Sequence, residues 1–342
     1  MQKTWPINQF FILITSIAIL FIIMKYSADL LAPFLISVAI SVILAPLLEY
    51  LQKKHIPKVV SLVLIIMISF IPIIILGGYI GTEAIEFKSN FHSMQTAFHE
   101  SIGKLAQTMN SMGIGIQQAD IETMLSKSNF SGIIQNLATQ ASAQFSNVIL
   151  IIFTVVFMLM ESDFLYNKLE KILSKSKIEL KDGMEIIAKI NTYFIIKAKT
   201  SMMSALLVLI ALLYYDIPYP YMWATLSFVL GFIPVVGDIL SAVPPIILAF
   251  LEGGVVTALW IAFWYAVINS IIGNIIEPRI MSKGLGLSAL VVFLSMTLWG
   301  WVLGPTGMIL SVPLTMAMQF LFAQYEETEW IALMLSDYEK EK

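Results

Sequence analysis

The chain breaks its apolar helices twice, and in the same way. Gly231-Phe-Ile-Pro-Val-Val-Gly-Asp-Ile-Leu-Ser-Ala-Val-Pro244 and Leu303-Gly-Pro-Thr-Gly-Met-Ile-Leu-Ser-Val-Pro313 each place a Pro and Gly interruption after one apolar arm and Ile-Leu-Ser at the head of another. In the first copy the arms cover 222–233 and 238–251. At about 1.5 Å per residue each is ~20 Å long, too short to cross a hydrocarbon core of about 30 Å alone. Either each copy is one long kinked span, or each is a hairpin that dips in and returns. Lipid cannot satisfy the N–H and C=O groups of a broken helix, so such backbone persists only where protein buries it or where it lines a wet cavity. Paired interruptions in a membrane chain point to the substrate site of a transporter.

Composition makes the bilayer the relevant solvent. Of 342 residues 58% are hydrophobic and 13% charged, and the mean hydropathy is +0.85, far outside the range of water-soluble domains. There is no cysteine, hence no disulfide, thiol nucleophile or thiolate metal site. Further apolar runs lie at 7–24, 30–48, 59–81, 145–160, 200–215 and 255–275. The first follows Lys3 and superficially resembles a signal peptide. No small-residue cleavage site comes after it, so it reads as a retained span. Asp29 is suited to cap the second run. The expected fold is therefore an all-α integral membrane protein, with about six full transmembrane helices and two oppositely oriented, broken re-entrant hairpins.

Lysine placement sets the expected orientation. Lys53, Lys54 and Lys58, then eight lysines within 162–199, mark cytoplasmic loops, whereas 82–144 carries few and faces outside. Both termini then lie inside. Hairpins would also leave Arg279 and Lys283 cytoplasmic, whereas full spans would expose them outside. The chain divides into 1–81 (three helices), 82–144 (external helices), 145–161 (a fourth span), 162–199 (a basic cytoplasmic segment), 200–322 (a core with broken segments at 222–251 and 288–322) and an acidic tail, 323–342. Phe91, Met94, Phe98, Ile102, Leu105, Met109 and Met112 form one helical face outside, and Phe130, Ile133, Ile134, Leu137, Ala141 and Phe145 a second. They suit either packing on the same chain or contact between subunits. Phe164, Leu165, Leu169, Ile172 and Leu173 line a basic helix, which either lies at the inner leaflet or serves as a solvated connector.

Catalytic signatures are missing: there is no phosphate-binding Gly-x-x-x-x-Gly-Lys loop, no His-Glu-x-x-His and no Gly-x-Ser-x-Gly. The three histidines are too scattered for a metal site, no cofactor is implied, and nothing points to nucleic acid. Polar groups within apolar helices are the remaining candidates. Asp238 either holds a proton or cation or caps the arm after it. Asn269, Ser270, Gly273, Asn274 and Glu277 recur at spacings of three and four before Pro278. They form an amide-rich stripe suited to a neutral, hydroxyl-rich solute or to helix–helix hydrogen bonds. Half-helix starts after Gly237 and Gly307 would favour electron-rich solute oxygens.

Tyr219-Pro220-Tyr221 through Gly231–Gly237 to Leu251-Glu-Gly-Gly254 resembles the AI-2E family of bacterial membrane transporters, and so does Asn274-Ile-Ile-Glu-Pro-Arg-Ile280 with Gly284–Ser288, Leu298-Trp-Gly300 and Pro313-Leu314. The resemblance implies a multi-pass protein of the bacterial cytoplasmic membrane with opposed hairpins, assembled as a homo-oligomer, a pentamer. It implies transport of small hydrophilic solutes, with export of the quorum-sensing signal autoinducer-2 as the namesake activity; some members are sodium(lithium)/proton antiporters. The motif positions that carry over are Pro234, Gly237, Asn274, Pro278, Gly304 and Gly307, with Pro305 beside the second break. Two positions depart from it, Asp238 and Ala289 standing where many relatives have proline. The reading is a non-enzymatic exporter of a small polar solute. The alternatives are a Na+(Li+)/H+ antiporter using Asp238, and a non-transporting scaffold.

Overall fold

A computed structural model describes residues 7–111, 148–173, 180–234, 236–281 and 286–337. They are helical almost throughout: α1 (Ile7–Tyr26), α2 (Ala28–Lys53), α3 (Lys58–Ser111), α4 (Val148–Leu173), α5 (Leu180–Tyr214), α6 (Pro220–Leu230), α7 (Val236–Ile271), a π-helical turn (Ile272–Ile276), α8 (Glu277–Met281), α9 (Ala289–Leu303), α10 (Pro305–Ala323) and α11 (Glu329–Leu335). An isolated bridge, Leu287 to Ser336, is the one β pairing among the described residues.

Four helices are long and apolar enough to cross a membrane, Ala28–Lys53, Asp182–Tyr214, Val236–Ile276 and Pro305–Ala323; shorter apolar helices lie at Thr15–Tyr26, Lys58–Ile71, Val148–Ser162 and Ala289–Leu303. Their outer faces are greasy. Phe153, Phe157, Ile210, Leu259 and Leu290 all stand exposed, an arrangement water would not tolerate and lipid favours. This is a membrane protein.

Helix ends follow local chemistry. Ser27 occupies the cap position of α2, and Asp29 falls inside the first turn instead of capping it. There it still faces the positive end of the helix dipole. Pro33 is accommodated within α2, with Ser37 Oγ donating to the Pro33 carbonyl at 2.7 Å. After α5 the chain turns through Asp216 (φ 51) and Tyr219 (φ 59), and Pro220 opens α6 at the position where its missing N–H costs nothing.

Helices also run through boundaries that hydropathy suggests. α3 is continuous past 81, α4 past 161 and α5 past 199. The apolar set at Phe130 to Phe145 lies outside the described residues, as do the side chains of 164–173. Of the helical face expected to lie outside, Met94 packs on the core and Ile102 is buried.

α2 is the hub. One side meets α3 and α4 through Leu48, Leu62, Ile65, Ile151, Val155 and Leu159. Small side chains let the helices approach: Ser37, fully buried, reaches Ile151 O at 3.5 Å, and Ser41 Oγ lies 3.6 Å from Met158 Sδ. The other side meets α5, α9 and α10 through Leu35, Ile36, Ala39 and Ile43. α1 closes the bundle against α9, with Phe21 edge-on to Trp299 and the Lys25 ammonium 3.8 Å from the Trp301 ring centre.

Candidate functional site

Both interruptions bring main chain against main chain, and a glycine permits it each time. A Cβ on Gly237 would overlap the Leu230 carbonyl oxygen, and one on Gly307 would overlap the Trp299 carbonyl oxygen. In a continuous helix residues this far apart in sequence are ~10–12 Å apart along the axis. The chain therefore doubles back at both places. Trp299 Nε1 donates to Thr315 Oγ1 at 3.1 Å across the second fold, both groups being buried.

The second turn is made by Gly304, with φ 66 and ψ −150, a region open in practice to glycine alone. Pro305 comes next as the first residue of α10, exposed and preset for a helix start. Ala289 begins α9 behind Ser288, whose hydroxyl accepts from Val291 N at 3.3 Å. A proline would be tolerated at this first helical position, so alanine here leaves the helix start intact.

The first turn spans Gly231 to Pro234, with Pro234 buried. Ile233 N donates to Leu230 O at 2.8 Å and Gly237 N to Ile233 O at 3.3 Å, so the break recovers part of its own hydrogen bonding. α7 then runs from Val236 to a second interruption at Gly254 (φ 74, ψ −168). This arm is longer than the dozen residues read from hydropathy, at ~27 Å. The helices after the two breaks begin at Val236 and Pro305, so Gly237 and Gly307 lie within first turns instead of preceding them.

An ion pair lies beside the first turn. Lys197 Nζ of α5 is 2.6 Å from Glu277 Oε1, the two side chains being 10% and 16% exposed. Thr200 Oγ1 donates to Glu277 Oε2 at 3.3 Å. Asp238, half-buried in the first turn of α7, has its Oδ2 3.9 Å from the Cβ position of Gly273. Both Lys197 and Glu277 are within electrostatic reach of it. Ion pairs removed from water repay their desolvation poorly, and in membrane helices they mark pathways more often than they stabilise.

Sequence reasoning found Asp238 and Glu277 and missed Lys197, Thr200 and Tyr193, because counting basic residues puts Lys197 in a loop. The signal was present: Tyr193, Lys197, Thr200 and Ser201 recur every three or four residues on one face of an apolar helix. The amide stripe does not converge. Asn269 is half-buried, while Ser270 and Asn274 are exposed. The π-helical turn adds a residue to its cycle and rotates the helix beyond it, so Glu277 faces α5 and Asn274 does not. Pro278 lies within α8.

At the far end of the first fold, α3 reaches over α6. Glu83 Oε2 accepts from Met222 N at 2.6 Å. Phe87 stands edge-on to Tyr219 and Trp223, at 5.5 and 5.4 Å between ring centres. Asn90 Nδ2 donates to Tyr219 Oη at 3.1 Å. Burial pushes the Glu83 carboxyl above its ordinary value, against the opposing pull of the Met222 and Tyr221 N–H groups.

The pattern that defines AI-2E family transporters matches residues 10–327. The AI-2 transport protein TqsA of Escherichia coli (strain K12) is 32% identical over 317 residues, 93% of this chain and 92% of that protein. A putative transport protein of Haemophilus influenzae is 30% identical over 345 residues, 99% of each. Putative transport protein YhhT of Escherichia coli (strain K12) is 30% identical over 292 residues, 84% of this chain and 83% of that one.

Proposed function

The chain belongs to the AI-2E transporter family, and from that premise we propose that it exports a small hydrophilic solute as a secondary transporter. In this reading the α6–α7 and α9–α10 folds are re-entrant hairpins, the first opening outward and the second inward, with both termini in the cytoplasm. The solute passes their tips by alternating access. Its class is small, neutral and hydroxyl-rich, like the signal for which the relative from Escherichia coli is named.

The observation that carries the reading is the repeated close approach of backbone to backbone at Gly237 and Gly307. Broken helices in lipid are costly, and a pair of them built to one plan is what a transported polar solute requires. Arm lengths support overlapping tips. α9 and α10, of 15 and 19 residues, span ~22 and ~28 Å. The arm from Val236 to Gly254 spans ~27 Å. Each exceeds half of a core of about 30 Å, so the two tips pass one another in depth. Phe232 of the first turn packs in one cluster with Leu310 and Met316 of α10.

The test is efflux from vesicles loaded with a panel of small polyols and hydroxyketones, with and without ion gradients. Gly237→Val and Gly307→Val should abolish it while the protein still inserts. Wild-type rates in both would refute the proposal.

A second reading, Na+(Li+)/H+ antiport through Asp238, draws support from the carboxylate's position beside the Lys197–Glu277 pair. Proton flux driven by sodium that survives Asp238→Asn would remove it. In either case the proposed assembly is a homo-oligomer in the bacterial cytoplasmic membrane.

A further inference from the structure

One face of α5 runs polar through an apolar helix. Tyr193, Lys197 and Ser201 follow one another at four-residue steps, about 12 Å in all along the axis. One end lies where the two folds meet: Tyr193 packs in the same cluster as Phe232 of the first turn and Leu310 and Met316 of α10. The other end lies against the first turn itself, with Ser201 Oγ 2.6 Å from the Cβ position of Gly231. Between them Lys197 Nζ holds Glu277 Oε1 at 2.6 Å.

This face carries more hydrogen-bonding capacity than the protein uses. Tyr193 is 1% exposed, and its hydroxyl has no hydrogen-bond partner among the described residues. Ser201 is buried as well, and its hydroxyl makes no hydrogen bond among them. An ammonium has three N–H groups to donate, and Glu277 is the one partner that Lys197 has among the described residues. Idle polar groups this deeply buried are uncommon, and inside a membrane protein they mark pathways.

The geometry points to a solute-binding site on this face of α5, where the Tyr193 and Ser201 hydroxyls and the Lys197 ammonium hold the oxygens of one small, neutral polyol between the two turns. The site deepens the transport reading and rests on it. Charge selects a neutral guest. Both Glu277 oxygens are engaged, one by Lys197 and the other by Thr200, so an anion would have to displace the carboxylate and a cation would meet the ammonium. Hydroxyls suit the remaining groups, because the ammonium can only donate whereas the Tyr193 and Ser201 oxygens both donate and accept. Tyr193 and Lys197 are one turn apart, about 6 Å along the axis, within reach of a single small molecule. The site is closed in this conformation. Movement of the first turn, which sets Phe232 and Gly231 against its two ends, would open it.

The experiment uses the full chain in vesicles. It has no cysteine, so Ser201→Cys supplies a lone thiol. Only a thiol that meets water ionises and reacts, so hydroxyethyl methanethiosulfonate should modify Ser201→Cys at least about tenfold faster than the control Ile210→Cys on the exposed apolar face. Erythritol should slow the reaction, and sodium glycerate at the same concentration should not. Adding Tyr193→Phe should raise the half-protecting erythritol concentration about five- to tenfold. Because the Tyr193 hydroxyl has no partner within the protein, Tyr193→Phe alone should melt no lower than wild type. Labelling of Ser201→Cys as slow as that of Ile210→Cys would overturn the site. So would protection by glycerate equal to that by erythritol, or a half-protecting concentration unmoved by Tyr193→Phe, which would leave that hydroxyl to water only. Should Ser201→Cys fail to insert, an unchanged KM for erythritol efflux in Tyr193→Phe would overturn it equally, while leaving the transport reading intact. Erythritol that protects Ser201→Cys yet is never moved across the membrane would sink the transport reading and support the site.

Discussion

Replacing Gly307 by alanine asks directly whether the chain doubles back at Gly304. The added methyl would overlap the Trp299 carbonyl oxygen, and that is main chain, with no rotamer to yield. α9 and α10 must therefore separate. Forcing a packed interface apart costs about 1–3 kcal/mol. The same separation stretches the 3.1 Å bond from Trp299 Nε1 to Thr315 Oγ1. These side chains are 4% and 5% exposed, and leaving them unpaired adds about 1–3 kcal/mol. The expected destabilisation is about 2–6 kcal/mol in all. Two other glycines calibrate it. Gly304→Ala meets no atom within 4 Å and should cost only backbone strain, about 1–3 kcal/mol. Gly78, exposed within α3 with open space beside it, should gain up to about 1 kcal/mol as alanine. The assay is thermal unfolding of the purified protein in detergent, followed by tryptophan emission. If Gly307→Ala melts like Gly78→Ala, the two helices do not approach so closely. The second segment would then be a single kinked helix, and the argument from broken backbone would fail.

Two further measurements bear on the contact between α3 and α6 and on the proposed orientation. Glu83→Ala removes the acceptor for Met222 N and should cost about 0.5–2 kcal/mol, whereas Glu83→Gln retains an oxygen and most of the stability. Because burial raises the Glu83 value, its contribution is complete below the ordinary carboxylate value and is lost as pH climbs through the raised one. The melting temperature of wild type relative to Glu83→Gln should therefore fall across that window, and a flat difference would contradict it. A cysteine at Ser282 should react with a membrane-impermeant thiol reagent only from the cytoplasmic side; labelling from outside would refute the paired hairpins.

The breaks were legible because Pro and Gly act locally: Gly237, Gly304, Pro305 and Gly307 announce their turns within a few residues. Less legible was whatever depends on partners distant in sequence. Lys197 looks like a loop lysine until Glu277, eighty positions on, is folded against it. The stripe of Asn269, Asn274 and Glu277 assumes a constant 3.6-residue cycle, which the π-helical turn breaks. On α3 the residues that grip α6 are Glu83, Phe87 and Asn90, a mixture of charge, ring and amide. A search for apolar periodicity passes over such a face.

One junction near the C-terminus bears on how stiff the second fold is. Ser288 N donates to Leu335 O at 3.4 Å and Asp337 N to Gly286 O at 3.2 Å. Gln319 Nε2 ties the same Gly286 carbonyl to α10 at 3.0 Å. The chain leading into α9 is thus clasped to the chain leaving α10, and the whole unit is buckled at its base as well as turned at its tip. Such a loop resists opening like scissors, since parting its legs would unfasten every one of these bonds. In the proposed transport cycle it would swing as a single stiff piece, with the bending taken up elsewhere, for instance at Gly254, beside which the space is open.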